Sequence, residues 1–262
     1  MILTSPSLPY TPRRIISLVP SQTELLYRLG LETETVGITK FCIHPDAWYR
    51  QKTRVGGTKS LKPEIIRQLN PDLIIANKEE NVQEQVETLA RDYPVWVTDV
   101  NNLEDALQMI HDIGALTGKT GEASVLISAI QKEFDQLQTT NLKPQTSNPP
   151  PRTAYLIWQD PCMTAGGDTF IHDMLTRCGF ENCFAGKKRY PETTIAELQA
   201  LDPGLLLLSS EPFPFKQKHA DEFGRLLPGC RVMLVNGEYF SWYGSRLLDA
   251  PAYFKTLRES CY

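Results

Sequence analysis

Apolar and polar positions along this chain change period repeatedly, and one compound pattern occurs in each half. Residues 64–77 read EIIRQLNPDLIIAN and residues 196–210 read AELQALDPGLLLLSS. Each is an amphipathic segment of helical period, a turn at Pro71 or Pro203, and a short apolar run of strand type. Each is preceded by another strand and helix pattern, RIISLVP with SQTELLYRLG in the first half and TAYLIWQ with TFIHDMLTRCG in the second. The repetition predicts two α/β lobes with a cleft between them, and clefts of that kind are where small ligands usually bind.

The elements between these patterns alternate in the same way. RIISLV (14–19) is continuously apolar, as a strand buried on both faces must be. Ser21, with Glu24 three residues later and Leu25, Leu26 and Leu29 beyond, predicts a capping box, and Gly30 closes that helix. VGIT (36–39) is a second strand, and Pro63 opens a helix to about Leu69. DLIIAN and VWVTDV follow as strands, NVQEQVETLARD and NLEDALQMIHDIGALTG as helices, the latter ended by Gly118. From about 119 to 140, Val125, Leu126, Ile130, Phe134 and Leu137 recur with helical period. That predicts one helix of about 20 residues, roughly 30 Å long. NLKPQTSNPPP (141–151), with four prolines, then breaks the pattern as a loop or linker. The expected organisation is an N-terminal lobe over 1–118, a connecting helix over 119–141, and a linker with the C-terminal lobe over 142–262. The fold class is α/β, with two Rossmann-like lobes of mostly parallel sheet bridged by one long helix.

Composition narrows the function classes. The net charge of −4 and the pI near 5.7 argue against a nucleic-acid groove. No apolar run approaches the roughly 18 residues of a membrane span. The N-terminal MILTSPSLPYTPRR has no apolar core of a secretory leader, so the chain as written is expected in the cytoplasm. There the six irregularly spaced cysteines are expected as reduced thiols. No P-loop, glycine-rich dinucleotide fingerprint or Ser-His-Asp order stands out, and no enzyme is expected on those grounds.

In open α/β sheets ligands sit beyond the carboxyl ends of the strands. That rule selects Pro20, the Lys40–Pro45 stretch, Lys78 to Asn81, Asp160 with AGGDTF, Glu211 to Phe215, and Ser241 to Gly244. Cys42 and His44 are two residues apart, so an extended backbone points both to one face, as two metal ligands must. With Glu79 or Glu80 they would make a metal site, and the chain a metal-dependent enzyme or metal-handling protein. Equally, Cys42 is a small core residue and Glu80 a cap of the helix beginning at Asn81. Trp158, Tyr190, Phe213, Phe215, Phe240, Trp242 and Tyr243 all fall at strand ends or in loops. Flat rings there either receive a planar macrocycle or aromatic chelate, or fill the packing between lobes. Arg189 and Arg246, with Lys59, Lys187 and Lys188, would offset an anionic ligand.

The run RRIISLVPSQTELLYRLGL, followed by VGIT, GGT, LNPDLIIA and the long connecting helix, resembles the substrate-binding proteins of ABC importers for vitamin B12, haem and iron siderophores. In the second half, AGGDTFIHDMLTRCGFENCF and LDPGLLLLSS resemble the second lobe of the same receptors, so the likeness covers roughly residues 13 to 260. The resemblance implies non-catalytic binding of a metal chelate or corrinoid in the cleft between the lobes. It implies no intrinsic cofactor, an ABC permease as partner, and a periplasmic or cell-surface location. In the vitamin B12 receptors aromatic residues line the cleft, and Tyr190 stands where that group has a tryptophan. In this family one glutamate on each lobe engages the permease. Glu64 stands at the first position; the second holds Ala196, with Glu197 one residue later and about 100° around the helix.

Overall fold

The computed structural model describes residues 1–142 and 150–261, whose contacts divide the chain into two units. Unit 1 comprises Met1–Val100, Glu104–Ile130 and Trp242–Arg246; unit 2 comprises Asn101–Leu103, Gln131–Ser241 and Leu247–Tyr262. Residues 143–149 of the expected proline-rich linker lie outside the described residues.

Unit 1 is built on β1 (Ile15–Ser17), β2 (Thr35–Ile38) and β3 (Thr53–Arg54), a small hairpin of β4 (Gly56–Gly57) and β5 (Ser60–Leu61), then β6 (Leu73–Asn77) and β7 (Val95–Thr98). The main sheet runs β3-β2-β1-β6-β7 with every neighbour parallel. The crossovers are α1 (Pro20–Arg28), α2 (Asp46–Gln51), α3 (Pro63–Leu69) and α4 (Gln83–Leu89), and α5 (Leu103–Thr117) follows the last strand. Every residue of β1 and β6 is buried, which is why both are apolar without alternation up to their last residues, Ser17 and Asn77. Ile16, Leu18, Ile74, Ala76 and Val95 meet Ile66, Val86 and Leu89 in one apolar cluster.

The expected capping box at Ser21 does not form. Helix α1 starts two residues earlier than a Ser21 cap would place it, at Pro20, whose fixed φ is ready for the first turn, and Val19 takes the cap position without a side-chain hydrogen bond. Glu24 is thereby released for another partner, described below. Gly30 does close the helix, at a φ of 75° that a side chain would resist.

Helix α6 (Thr120–Leu142) matches the long helix read from the sequence, and the division between units falls inside it, between Ile130 and Gln131. Ala123, Leu126, Ile130, Phe134 and Leu137 form its buried stripe, whereas Val125, off that stripe, is 72% exposed.

Unit 2 contains β8 (Arg152–Gln159), β9 (Cys162–Thr164), β10 (Glu181–Asn182), β11 (Leu205–Ser209) and β12 (Arg231–Val235). They pair in the parallel order β10-β8-β11-β12, with β9 antiparallel to β8. Its helices are α7 (Phe170–Cys178), α8 (Ile195–Leu201), α9 (Gln217–Leu226), α10 (Glu238–Ser241) and α11 (Ala250–Glu259), with a 3₁₀ turn at Ser245–Leu248. Thr169 caps α7 by accepting from the His172 amide.

The duplicated pattern has one local structure in both units. Helices α3 and α8 each end on a left-handed residue, Asn70 at φ 42° and Asp202 at φ 47°, directly before proline and strand. Short polar side chains tolerate that conformation, and proline cannot continue a helix. Both sheets also reverse their winding, unit 1 between β1 and β6 and unit 2 between β8 and β11. Loops beyond the strand ends at such a reversal are the usual ligand position.

Among the described residues, no helix is long and apolar enough to cross a membrane. All six cysteines are free.

Candidate functional site

In unit 1 the loops beyond β1, β4 and β6 are joined by one side chain. The Asn81 amide donates to the carbonyls of Leu18 (3.3 Å) and Thr58 (3.1 Å), while its oxygen accepts from the Asn77 amide. Asn77 in turn accepts through Oδ1 from the backbone N–H groups of Glu79 (2.8 Å) and Glu80 (3.2 Å). Lys59 donates to the Glu79 carbonyl, so this cation helps to hold the same loop. Glu80 is half-buried, and burial pushes its carboxyl above the usual range, with Lys59 opposing and Glu79 adding to the shift. Pro20 is half-buried at the start of α1.

The loop after β2 is organised differently from the metal-site expectation. Cys42 is fully buried, its sulfur 3.1 Å from both Thr23 Oγ1 and Thr39 Oγ1, and burial pushes the thiol up. His44 instead lies edge-on to Trp242, with ring centroids 5.5 Å apart. No three His, Cys, Asp or Glu side chains among the described residues are arranged to hold a metal ion, so Cys42, His44, Glu79 and Glu80 do not form the metal site considered above. To solvent the loop presents Phe41, 50% exposed, and Ile43, 46%, with the exposed Lys40 beside them, its ammonium 5.0 Å from the Phe41 ring centroid. Phe41 and Ile43 both lie in the Lys40–Pro45 stretch selected by the strand-end rule.

Trp242 and Arg246 belong to unit 1 although they follow the last strand of unit 2. Trp242 and Tyr243 are buried, each 6% exposed, rather than offering open faces. Arg246 is not an open counter-charge either. Its Nη2 lies 2.6 Å from Glu24 Oε1 and its Nε 3.1 Å from Oε2, and its guanidinium sits 5.1 Å from the Trp242 ring centroid.

In unit 2, Trp158 is 39% exposed just beyond the buried part of β8, edge-on to Phe213 at 5.6 Å. Phe213 packs on Phe215 at 4.8 Å, and Phe215 is buried with His219 and Phe223 beneath it. Glu211, in the loop after β11, accepts through Oε1 from Ser241 Oγ at 2.5 Å. Phe240 lies on α10 rather than on a strand, fully buried between Tyr155 and Phe254, and so serves the core.

Arg189 and Tyr190 owe their position to two glycines. Gly166 N–H donates to the Arg189 carbonyl (2.7 Å) and Gly167 N–H to the Lys187 carbonyl (2.9 Å). A Cβ on Gly166 would collide with the Lys187 carbonyl, and one on Gly167 with that of Ala185. The same loop is closed by Asp168, whose carboxylate accepts from the Arg189 amide at 2.5 Å. Arg189 is held at a φ of 55°, with its guanidinium 5.9 Å from the Tyr190 ring centroid. Backbone strain of this kind on an exposed cation concentrates at ligand clamps. Lys187 is turned to Glu197 instead, 2.5 Å away.

An open pocket of about 280 Å³ on unit 1, lined by Pro6 to Thr11, Ala115 and Leu116, includes none of these side chains.

Glu64 is exposed in the first turn of α3. Matching α3 and α8 at their left-handed caps pairs Glu64 with Ala196 and Glu197 with Ile65. Glu197 accepts from Lys187 and from Thr193 Oγ1 (2.9 Å), and these bonds hold its carboxyl below the usual range.

The family model described as periplasmic binding protein matches residues 15–236. The vitamin B12-binding protein of Pectobacterium atrosepticum is 24% identical over 242 residues, 91% of this chain and 86% of that protein. Among solved structures, the periplasmic vitamin B12 binding protein of Vibrio cholerae superposes with a TM-score of 0.81 at 21% identity, covering 97% of this chain and 99% of that one. The periplasmic haem-binding protein of Roseiflexus sp. RS-1 gives a TM-score of 0.79 at 19% identity, covering 95% and 99%. The two-unit fold is therefore that of two-lobed periplasmic binding proteins. A metal-dependent enzyme finds no support in these likenesses, nor does the cytoplasmic location expected from the N-terminal residues.

Proposed function

The chain belongs to the periplasmic binding protein family, and from that premise we propose that it captures a metal chelate or corrinoid, without catalysis, for delivery to an ABC permease. The ligand is cargo and not a resident cofactor. The vitamin B12 and haem binders among its relatives support this ligand class.

The observation that carries the reading is where exposed apolar side chains lie. Phe41 and Ile43 in unit 1 and Trp158 in unit 2 stand in or beside loops beyond the carboxyl ends of parallel strands. Exposed aromatic and aliphatic groups at that end of an α/β sheet suit a large ligand with flat or apolar faces. In this reading Phe41, Ile43 and His44 supply unit 1's contacts, with Pro20 and Lys59 beside them. Trp158, Phe213 and Tyr190 supply those of unit 2. Arg189 meets an anionic substituent of the ligand, and Glu211 accepts a hydrogen bond from it. Trp242, Tyr243 and Arg246 support the site from behind, and Phe240 contributes through the core. We place the protein outside the cytoplasmic membrane, with Glu64 as the exposed permease contact. Glu197, tied to Lys187, contributes less.

A thermal-shift and absorbance titration against cobalamin, cobinamide, haem and a ferric siderophore tests the proposal. One chelate should stabilise the protein strongly, by about 2.7 kcal/mol at a hundredfold excess over its dissociation constant. Response to free zinc, iron or cobalt salts alone would overturn it.

A further inference from the structure

We propose that Glu24 is a positioning residue for the ligand, acting through Arg246 and Trp242 on the apolar loop that carries His44. The inference rests on the receptor reading above and concerns unit 1 alone.

Helix α1 reaches the loop after β2 at two adjacent residues. Thr23 does so directly, through its hydroxyl 3.1 Å from the Cys42 sulfur. Glu24 does so through a relay. Its two carboxylate oxygens take the Arg246 guanidinium at 2.6 and 3.1 Å, with both side chains mostly buried, at 21% and 15% exposure. A planar fork held at two points fixes the guanidinium plane as well as its charge. That cation lies 5.1 Å from the Trp242 ring centroid, and the Trp242 ring meets His44 edge-on at 5.5 Å. Gly244 keeps the strap formed by Trp242–Arg246 seated: it has a φ of 141°, and a Cβ there would stand 3.1 Å from the Ser21 carbonyl oxygen. The strap backbone thus lies on the first turn of the helix that carries Glu24.

Each step passes orientation rather than charge. The relay ends at His44, beside Phe41 and Ile43, which are about half exposed. These three residues lie between β2 and α2, outside any regular element, so their direction depends on such anchors. Cys42 pins the middle of the loop and Trp242 its end. The apolar surface offered to the ligand is set in advance, and a preorganised surface loses less affinity to ordering.

The test compares Glu24→Gln and Glu24→Asp with the wild type in two readouts. The first is affinity for whichever of cobalamin, cobinamide, haem or a ferric siderophore the wild type binds. The second is the ¹⁹F resonance of Trp242 in protein labelled with 5-fluorotryptophan, assigned with Trp242→Phe and recorded without ligand. Glu24→Gln should weaken binding about tenfold and shift the Trp242 line, and Glu24→Asp should recover most of both. A Glu24→Gln variant with wild-type affinity, or one that loses affinity while the Trp242 line stays in place, overturns the proposal. Failure of the wild type itself to bind any chelate would instead sink the receptor reading, and this inference with it.

Discussion

Glu211 accepts a hydrogen bond from Ser241 at 2.5 Å, tying the loop after β11 to the end of α10 thirty residues later. The tie is reinforced by Gly237, whose amide donates to Ser210 Oγ at 3.0 Å and whose missing Cβ leaves room for Ser209. The Glu211–Ser241 bond involves a charged acceptor, a class worth about 1.5–3 kcal/mol. Ser241→Ala should therefore cost unfolding free energy at the lower end of that range, since both residues are only half-buried. It should also weaken chelate binding several-fold, because the freed loop carries Phe213. Denaturant titration and ligand titration on one preparation check both effects.

The glycine pair offers a sharper test. Gly166→Ala and Gly167→Ala each place a methyl group against a backbone carbonyl, that of Lys187 and that of Ala185 respectively, close enough to force a shift. The loop carrying Arg189 and Tyr190 must then move, and affinity should fall at least tenfold. Lys188→Ala, on the same loop but with an exposed side chain, should change affinity by less than threefold. Equal effects from all three substitutions would mean that the close fit of the glycines is not what positions the loop.

Two aromatic substitutions should separate binding from folding. Trp158→Ala removes a partly exposed ring and should weaken chelate binding at little cost in stability. Phe240→Ala empties a fully buried position and should cost about 3–5 kcal/mol of stability. Melting temperatures and dissociation constants measured for both proteins decide the point.

Glu80 predicts a pH dependence. Its carboxyl sits above the usual range, chiefly through burial. The folded state therefore holds this proton more tightly than the unfolded chain, whose value is about 4.3. The resulting stability is present below that pH and is lost as pH rises through the folded-state value. At pH 7.5 the charged group is a cost, so Glu80→Gln should melt higher than the wild type, and the gap should close near pH 4. A gap that is the same at both pH values would mean that burial of the charge is not its cause.

Thiol chemistry tests the reassignment of Cys42. Cys42 and Cys178 are fully buried and both are pushed up by burial, so neither should react with an aqueous disulfide reagent before unfolding. The half-buried Cys162, Cys183, Cys230 and Cys261 should account for all native reactivity, slowly, since burial raises Cys230 to about 11. Cys42→Ala should leave both the native thiol count and the response to zinc unchanged.

The strands and crossovers were legible wherever periodicity and punctuation agreed. Pro63 and Asn70 bracket α3 in the sequence as they do in space, and the stripe from Leu126 to Leu137 gave α6 its length. Short elements such as α2, β3, β9 and α10 carry too few residues for any period to show. At the site, the strand-end rule found the right loops but could not tell which side chains face outward. Cys42 looked like a ligand and is core, whereas Phe41 beside it is exposed. Ser21 and Glu24 had the spacing of a capping box, but a partner 222 residues away took the carboxylate. Local spacing carries no information about a contact of that range.

The strap from Trp242 to Arg246 also bears on the order of folding. Domains at the N-terminus ordinarily complete themselves while the rest of the chain is still being synthesised. Unit 1 cannot, since its Glu24 carboxylate waits for an arginine that follows Gln131–Ser241 of unit 2 on the ribosome. A nascent chain halted before Trp242 would carry the parallel sheet with its first helix unclamped. The last act of closing the N-terminal half thus belongs to residues from near the opposite end.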